Sequence, residues 1–153
     1  MITSYVPEVF DQLNSFHTAK SQLKESKAFL HQLGTVICRH NLQQKVGLAL
    51  LHKHFDLVPN ERLVEQTAHH TISITPVCNP DDATIAPYLW KMATDSVGEH
   101  SWFPLEFQDT LEATPDSLNT AETLEANQAF LQEMAVKLQE LNLEDVFGIS
   151  ILH

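Results

Sequence analysis

A stretch with the apolar spacing of a helix, followed by a short apolar run, occurs twice along the chain. Residues 29–52 and residues 130–153 align without a gap at an offset of 101. Both segments begin with Phe-Leu, carry Asn-Leu at the same place, and end on Leu-His with a glycine at the same distance before it. Self-similarity of this kind indicates an internal repeat. We therefore predict two helix–strand units that are related by an approximate twofold axis.

The first part of each unit has the apolar spacing of an amphipathic helix. In the second unit, Asn119 followed three residues later by Glu122 predicts the start of that helix. Both helices should end near Asn41 and Asn142, because asparagine tolerates the left-handed conformation that closes a helix. The apolar stripes consist of Leu23, Leu30, Leu33 and Ile37 in the first unit and of Leu124, Leu131, Met134, Leu138 and Leu141 in the second.

Each unit ends in an apolar run of strand length, VGLALLH in the first copy and FGISILH in the second. Since both faces of these runs are apolar, we expect the strands to lie in the interior of a sheet. The face with the small residues Gly47 and Gly148 should pack on the preceding helix. The other face should carry His52 and His153, which an antiparallel pairing would hold at opposite ends of the sheet.

Alternating apolar residues predict further strands between the two units. The first two of these strands are separated by a short turn, which is typical of a hairpin. We expect the odd-numbered aromatic and leucine positions of the last strand to face inward. The predicted strands are 62–67, 70–77, 86–93 and 102–108, and the inward positions are Phe103, Leu105 and Phe107. The pattern indicates an α+β fold in which helices pack on a largely antiparallel central sheet.

The chain has 153 residues, which suits one domain and is short for two. Its low glycine and proline content excludes collagen-like and low-complexity classes. We predict a single domain over residues 1–153, divided into repeat unit A (19–56), central strands (57–112) and repeat unit B (119–153).

Acidic residues outnumber basic ones, 20 to 9, which gives a formal net charge of −11. The imbalance is local: residues 1–80 carry +1, whereas residues 81–153 carry −12. A strongly acidic chain is a poor binder of the phosphate backbone, so we expect no nucleic-acid partner. The acidic half is either an ordinary solvated surface or a face for a basic partner.

Two features of the sequence concern the cellular compartment. The first fourteen residues contain no apolar run of signal-peptide length, and no stretch of about 20 apolar residues could span a bilayer. The two cysteines, Cys38 and Cys78, are too few for a disulfide framework. We expect a soluble cytoplasmic protein without a membrane partner.

The residues after the first apolar run, His52-Lys53-His54-Phe55-Asp56, carry the clearest candidate chemistry. On a strand, residues two apart face the same side, so His52, His54 and Asp56 should converge. Two imidazoles and a carboxylate suit a divalent transition metal with an open coordination position. The two histidines also suit a catalytic general acid and base. The alternative is a strand end whose polar side chains simply meet solvent.

Aromatic side chains concentrate in the second half of the central region. Tyr88 and Trp90 share one face of a predicted strand, Trp102 begins the next strand, and His100 lies in the turn before it. An aromatic wall beside imidazoles is typical of a pocket for an apolar or planar ligand, so we predict that these four residues bind ligand. The same stripe is also typical of a core.

Two hypotheses of function follow from these residues. The first is a small-molecule pocket lined by histidine and aromatic side chains, with metal-assisted or acid–base catalysis as its chemistry. The second is a non-catalytic interaction or assembly domain that uses its acidic half or a self-complementary sheet edge, with a homodimer as one form of assembly.

Overall fold

A six-stranded sheet with helices packed on it forms the architecture, and the computed structural model describes residues 1–153. The predicted α+β fold is therefore confirmed. The helices are α1 (Pro7–Asp11), α2 (Phe16–Ser26), a short 3-10 helix (Lys27–Phe29), α3 (Leu30–Arg39), α4 (Pro115–Ala126) and α5 (Gln128–Glu140). The strands are β1 (Val46–Leu50), β2 (Glu61–Ala68), β3 (Thr71–Cys78), β4 (Ile85–Thr94), β5 (His100–Asp109) and β6 (Phe147–Ile151).

The strands lie in the order β1-β6-β4-β5-β2-β3. Every neighbouring pair is antiparallel except β2 and β5, which run parallel. The predicted hairpin is the β2–β3 pair, and its turn consists of His69 and His70, both with positive φ (50° and 66°). Two successive left-handed residues form the tight turn whose twist matches that of the adjoining strands.

The helices end where the sequence predicts. Asn41 follows α3 with φ 58° and Asn142 follows α5 with φ 54°. The predicted start of the second helix at Asn119 is wrong, because α4 begins after Thr114, whose side chain accepts a hydrogen bond from the Ser117 N–H. A separate helix α5 then follows, because the side chain of Asn127 accepts from the Phe130 N–H and caps it.

Strands β1 and β6 pair with one another, and Leu48 lies opposite Ile149, its counterpart at the offset of 101. Just beyond the strands, the Leu51 N–H donates to the Val146 carbonyl, and the counterpart Leu152 N–H donates to the Lys45 carbonyl. The turns after α3 and α5 also share the same set of backbone hydrogen bonds. The internal repeat and its unit boundaries stay an interpretation of the sequence, and these bonds are compatible with it.

The large side chains of β1 and β6 face the helices. Phe147 and Ile149 belong to the same buried cluster as Leu33 of α3. The prediction that the small face packs on the helix is therefore wrong. Gly148 instead allows a close contact with the neighbouring strand, because a Cβ added there would lie only 2.3 Å from the backbone oxygen of Trp90. The missing side chain lets strand β4 approach β6 closely.

A second, smaller apolar cluster lies beside α1. It joins Phe10 of α1 to the chain directly after β1 and to strands β2 and β5. Its buried members are Phe10, Leu13, Leu51, Leu63 and Leu105. This cluster matters for function because three of its leucines continue into the walls of a cleft.

No helix of the structure has both the length and the apolar character that a membrane crossing requires.

Candidate functional site

The structure brings His52 and His54 together, with ring centroids 4.4 Å apart. Strand β1 ends at Leu50, so both histidines lie in the loop that follows it. The expectation that they extend the strand on the face opposite Gly47 is therefore wrong. Their contact comes from the fold of the loop, in which the chain turns away from β1.

His52 is held in one orientation by its backbone contact. Its Nδ1 lies 2.9 Å from the carbonyl oxygen of Leu50, and the ring of Phe16 meets the imidazole edge-on at 5.1 Å. Because a carbonyl oxygen only accepts, Nδ1 carries the proton and donates it. In the neutral ring Nε2 is then left as a hydrogen-bond acceptor.

His54 faces a carboxylate that the sequence analysis did not single out. Its Nε2 lies 3.4 Å from Oε1 of Glu106, which stands on β5 and is only 7% exposed. The second oxygen of Glu106 accepts a hydrogen bond from the hydroxyl of Tyr88, which is also buried. A sequence signal was present, since Glu106 is the one acidic residue in an otherwise apolar and aromatic strand segment, 102–107.

Tyr88 reaches Glu106 because strand β4 is irregular at this place. The register between β4 and β5 shifts on both sides of Leu89, so Tyr88 lies in a bulge. Burial raises the pKa of Tyr88 well above its ordinary value of 10.0, and the charge of Glu106 and the hydrogen bond to it raise it further. The hydroxyl therefore stays protonated and donates to the carboxylate at neutral pH.

An apolar cleft of about 250 Å³ opens between the two histidines and Glu106. Leucine and alanine side chains form most of its wall, and the three titratable side chains are its polar groups. The lining residues are Leu13, Ala49, Leu50, Leu51, His52, His54, Leu89, Leu105 and Glu106. Apolar walls with a few convergent polar groups are typical of a small-molecule site.

The predicted aromatic wall lies elsewhere. Trp90 and Trp102 are 0% and 1% exposed and pack in the main core with the helices. The indole nitrogen of Trp102 donates to the backbone oxygen of Leu131 in α5, which ties the sheet to that helix. His100 is half-buried and its Nε2 lies 2.7 Å from the side-chain oxygen of Gln139. Of the four residues predicted to bind ligand, only Tyr88 makes a side-chain hydrogen bond to a cleft residue, Glu106.

Asp56 does not join the two histidines. Its side chain is 98% exposed and contacts the Lys53 ammonium at 3.6 Å. The structure contains no group of three or more His, Cys, Asp or Glu side chains arranged to hold a metal ion. The predicted trio His52, His54 and Asp56 is therefore not assembled, because the loop carries Asp56 away from the cleft after His54.

A second imidazole–carboxylate pair lies on the other side of Tyr88. His153 Nε2 is 2.7 Å from Oε1 of Glu65, and its ring centroid is 5.0 Å from that of Tyr88. His153 follows β6, which runs antiparallel to β1, so it lies at the end of this strand pair opposite to His52. His52 and His153, which occupy aligned positions in the two similar segments, therefore lie in different places: His52 beside His54, and His153 beside Glu65 and Tyr88.

Comparisons of the chain with protein-family models, with curated proteins and with solved structures found no match.

Tyr88 gives the protein a predicted alkaline instability. As the pH rises above 10, the tyrosine of the unfolded chain loses its proton while buried Tyr88 keeps it, so the unfolded state binds fewer protons. The free energy of unfolding should fall by up to about 1.4 kcal/mol per pH unit for this group. Tyr88→Phe should flatten the fall in a urea unfolding series from pH 9 to 11.

Tyr5 is the matched control for this measurement, since the chain has only two tyrosines. Burial, followed by the charge of Asp11, raises the pKa of Tyr5 to about 12. Tyr5→Phe should therefore remove a smaller alkaline contribution of the same sign, which ends near pH 12, and leave the contribution of Tyr88 in place. Equal alkaline slopes in the wild type and in Tyr88→Phe would contradict the buried, protonated hydroxyl described above.

Proposed function

We propose that this protein binds a small apolar molecule in the cleft of His52, His54 and Glu106 and exchanges a proton with it. The observation that carries this proposal is the buried Glu106 carboxylate at the wall of an open apolar cleft, with an imidazole 3.4 Å from it. A carboxylate beside an imidazole can move a proton to or from a bound molecule within hydrogen-bond reach.

The polar groups of the cleft favour a ligand that donates hydrogen bonds. Glu106 offers carboxylate oxygens, and the Nε2 atom of neutral His52 offers a lone pair. No lysine or arginine forms an ion pair with Glu106, so a cationic ligand would supply the opposite charge. The proposed ligand class is therefore a small apolar amine, with its body on the leucine walls and its N–H groups on these acceptors.

This assignment is tested with benzylamine as the probe and its uncharged analogue benzyl alcohol as the comparison. Glu106→Gln keeps the size of the side chain and removes its charge. We expect this change to weaken benzylamine binding in calorimetry by about tenfold or more and to alter benzyl alcohol binding much less. Equal benzylamine affinity in both proteins would contradict the role of Glu106.

The two histidines are tested by a paired substitution. The double variant His52→Ala, His54→Ala should weaken benzylamine binding by about tenfold, because it removes two polar groups of the cleft. Its fold should be kept, because neither histidine fills the core. His17→Ala with His31→Ala removes two exposed helical imidazoles and should leave the affinity unchanged. Benzylamine binding that survives the first pair intact would place the ligand elsewhere.

A second candidate function is assembly of copies through the sheet edge. Strand β3 is the last strand of the sheet, so the outer side of its backbone has no partner strand, and Ile72 on this strand is largely exposed. A molar mass from light scattering that rises to a dimer in the wild type and stays monomeric in Ile72→Lys would favour this function.

A further inference from the structure

Arg62 on β2 is one of only two arginines in a chain of net charge −11, and its guanidinium lies in an aromatic setting. Its Cζ atom is 5.1 Å from the ring centroid of Tyr5 and 5.6 Å from that of Phe107. The two rings meet edge to face at 5.9 Å. The aromatic contacts fix the plane of the guanidinium and leave the donors along its edges for hydrogen bonds.

Most of these donors are unused. A guanidinium carries five N–H donors, and the structure gives this one a single partner, Asp82, whose Oδ1 lies 2.5 Å from Nη1. The Nε atom of Arg62 is buried and has no hydrogen-bond partner. The edge formed by Nε and Nη2 is the one that receives a carboxylate through two parallel bonds, so this edge lacks its usual acceptor.

A second donor without a partner belongs to Tyr5, whose ring contacts the guanidinium of Arg62. The hydroxyl of Tyr5 is buried and makes no hydrogen bond, and burial raises the pKa of Tyr5 to about 12, which keeps the proton on the oxygen. A buried donor without an acceptor destabilises the protein, because it has lost its hydrogen bond to water and gained none in return. Two such donors at one place mark a position where an oxygen acceptor would be favoured.

Both residues line one cleft of about 200 Å³. Ile85, Pro87 and Pro104 form an apolar part of the wall of this cleft. A ligand that fits has one anionic oxygen pair for the guanidinium edge and a compact apolar body for this wall. The ligand of this cleft would therefore be an anion, whereas the ligand proposed for the His52–His54–Glu106 cleft is a cation.

We propose that the cleft of Tyr5 and Arg62 is a second binding site, for a small apolar carboxylic acid. A carboxylate oxygen accepts a hydrogen bond from Nη2 of Arg62, and the apolar body packs on Ile85 and the two prolines. Arg62 Nε and the Tyr5 hydroxyl are covered in the structure, so a small rotation of these two side chains accompanies binding and brings both donors to the carboxylate. Asp82 competes for the same guanidinium from a side chain that is 81% exposed, so it limits the affinity.

Benzoate is the probe, and its binding is followed by calorimetry together with the Nε–H NMR signal of Arg62. The wild type should bind benzoate and the Arg62 signal should shift on binding. Arg62→Lys keeps the charge but removes the planar fork, so benzoate affinity should fall by about tenfold. Tyr5→Phe, which removes only the hydroxyl, should also lower it. Asp82→Asn should act in the opposite direction and raise the affinity, because it removes the competing carboxylate.

The contrary results are equally specific. Benzoate affinity that is unchanged in both Arg62→Lys and Tyr5→Phe would overturn the proposal, as would the absence of binding to the wild type at about 10 mM benzoate. Inorganic phosphate that binds as tightly as benzoate would overturn the apolar part of the ligand class. Thermal unfolding of each variant tests whether the fold is kept. If Arg62→Lys fails to fold, Asp82→Asn still tests the proposal through its expected gain in affinity.

Discussion

Replacing Gly148 with Ala should lower the free energy of unfolding by about 3 kcal/mol or more. The added Cβ would lie 2.3 Å from the backbone oxygen of Trp90 and 2.8 Å from Cδ2 of Leu51. The Trp90 oxygen belongs to the backbone of β4, so it can move away only if β4 separates from β6. The clash therefore cannot be relieved without disrupting the pairing of these strands. Urea unfolding followed by tryptophan fluorescence measures the loss, since the indole of Trp90 is buried in the main core.

Gly47 provides the matched control, since it occupies the aligned position in residues 29–52, the first of the two similar segments. A Cβ there would meet Cδ2 of Leu152 at 2.9 Å, but this is the end of a flexible, half-exposed side chain that can turn away. Gly47→Ala should therefore cost much less than Gly148→Ala. Equal losses in the two variants would contradict the close approach of β4 to β6.

Trp102→Ala should destabilise the protein by about 3–5 kcal/mol, because it removes a fully buried indole from the core. This result separates the core role described here from the ligand-binding role that the sequence predicts for Trp102. Ligand binding in the His52–His54–Glu106 cleft should persist below the unfolding transition of the variant. Calorimetric unfolding, together with benzylamine titration, measures both effects.

Milder substitutions of the two tryptophans give a sharper comparison. The indole nitrogen of Trp102 donates to the Leu131 backbone oxygen, whereas the buried indole nitrogen of Trp90 has no partner. Both variants lose a similar side-chain volume, but only Trp102→Phe also loses a hydrogen bond. Trp102→Phe should therefore lower the free energy of unfolding by about 1 kcal/mol more than Trp90→Phe. A greater loss for Trp90→Phe would contradict the assignment of this hydrogen bond.

The sequence predicts those parts of the fold that local patterns determine. Asn41 and Asn142 end their helices because the left-handed conformation is a property of the residue itself. The β2–β3 hairpin and strands β4 and β5 follow from alternation and a short turn. The break at Asn127 does not follow from the apolar pattern, because the apolar stripe continues across it and only the capping hydrogen bond of Asn127 marks the new helix.

The candidate site could be predicted only in part. His52 and His54 are only two positions apart in the chain, so their proximity can be predicted from the sequence. Glu106 joins the pair through the order of the strands and through the bulge that contains Tyr88, and neither can be read from periodicity. The sequence predicts a pocket at Trp90 and Trp102 because a core stripe and a pocket wall have the same spacing. Only the packing of these residues against the helices distinguishes the two.

The most direct test of the His52–His54–Glu106 cleft is the position of bound benzylamine, measured by intermolecular NOEs to the methyl groups of the protein. Our account predicts NOEs from the ring protons to Leu51, Leu89 and Leu105, which line this cleft. These NOEs should be accompanied by shifts of the His52 and His54 ring signals. Saturable binding with NOEs to another part of the surface, or no binding at all, would contradict the central claim.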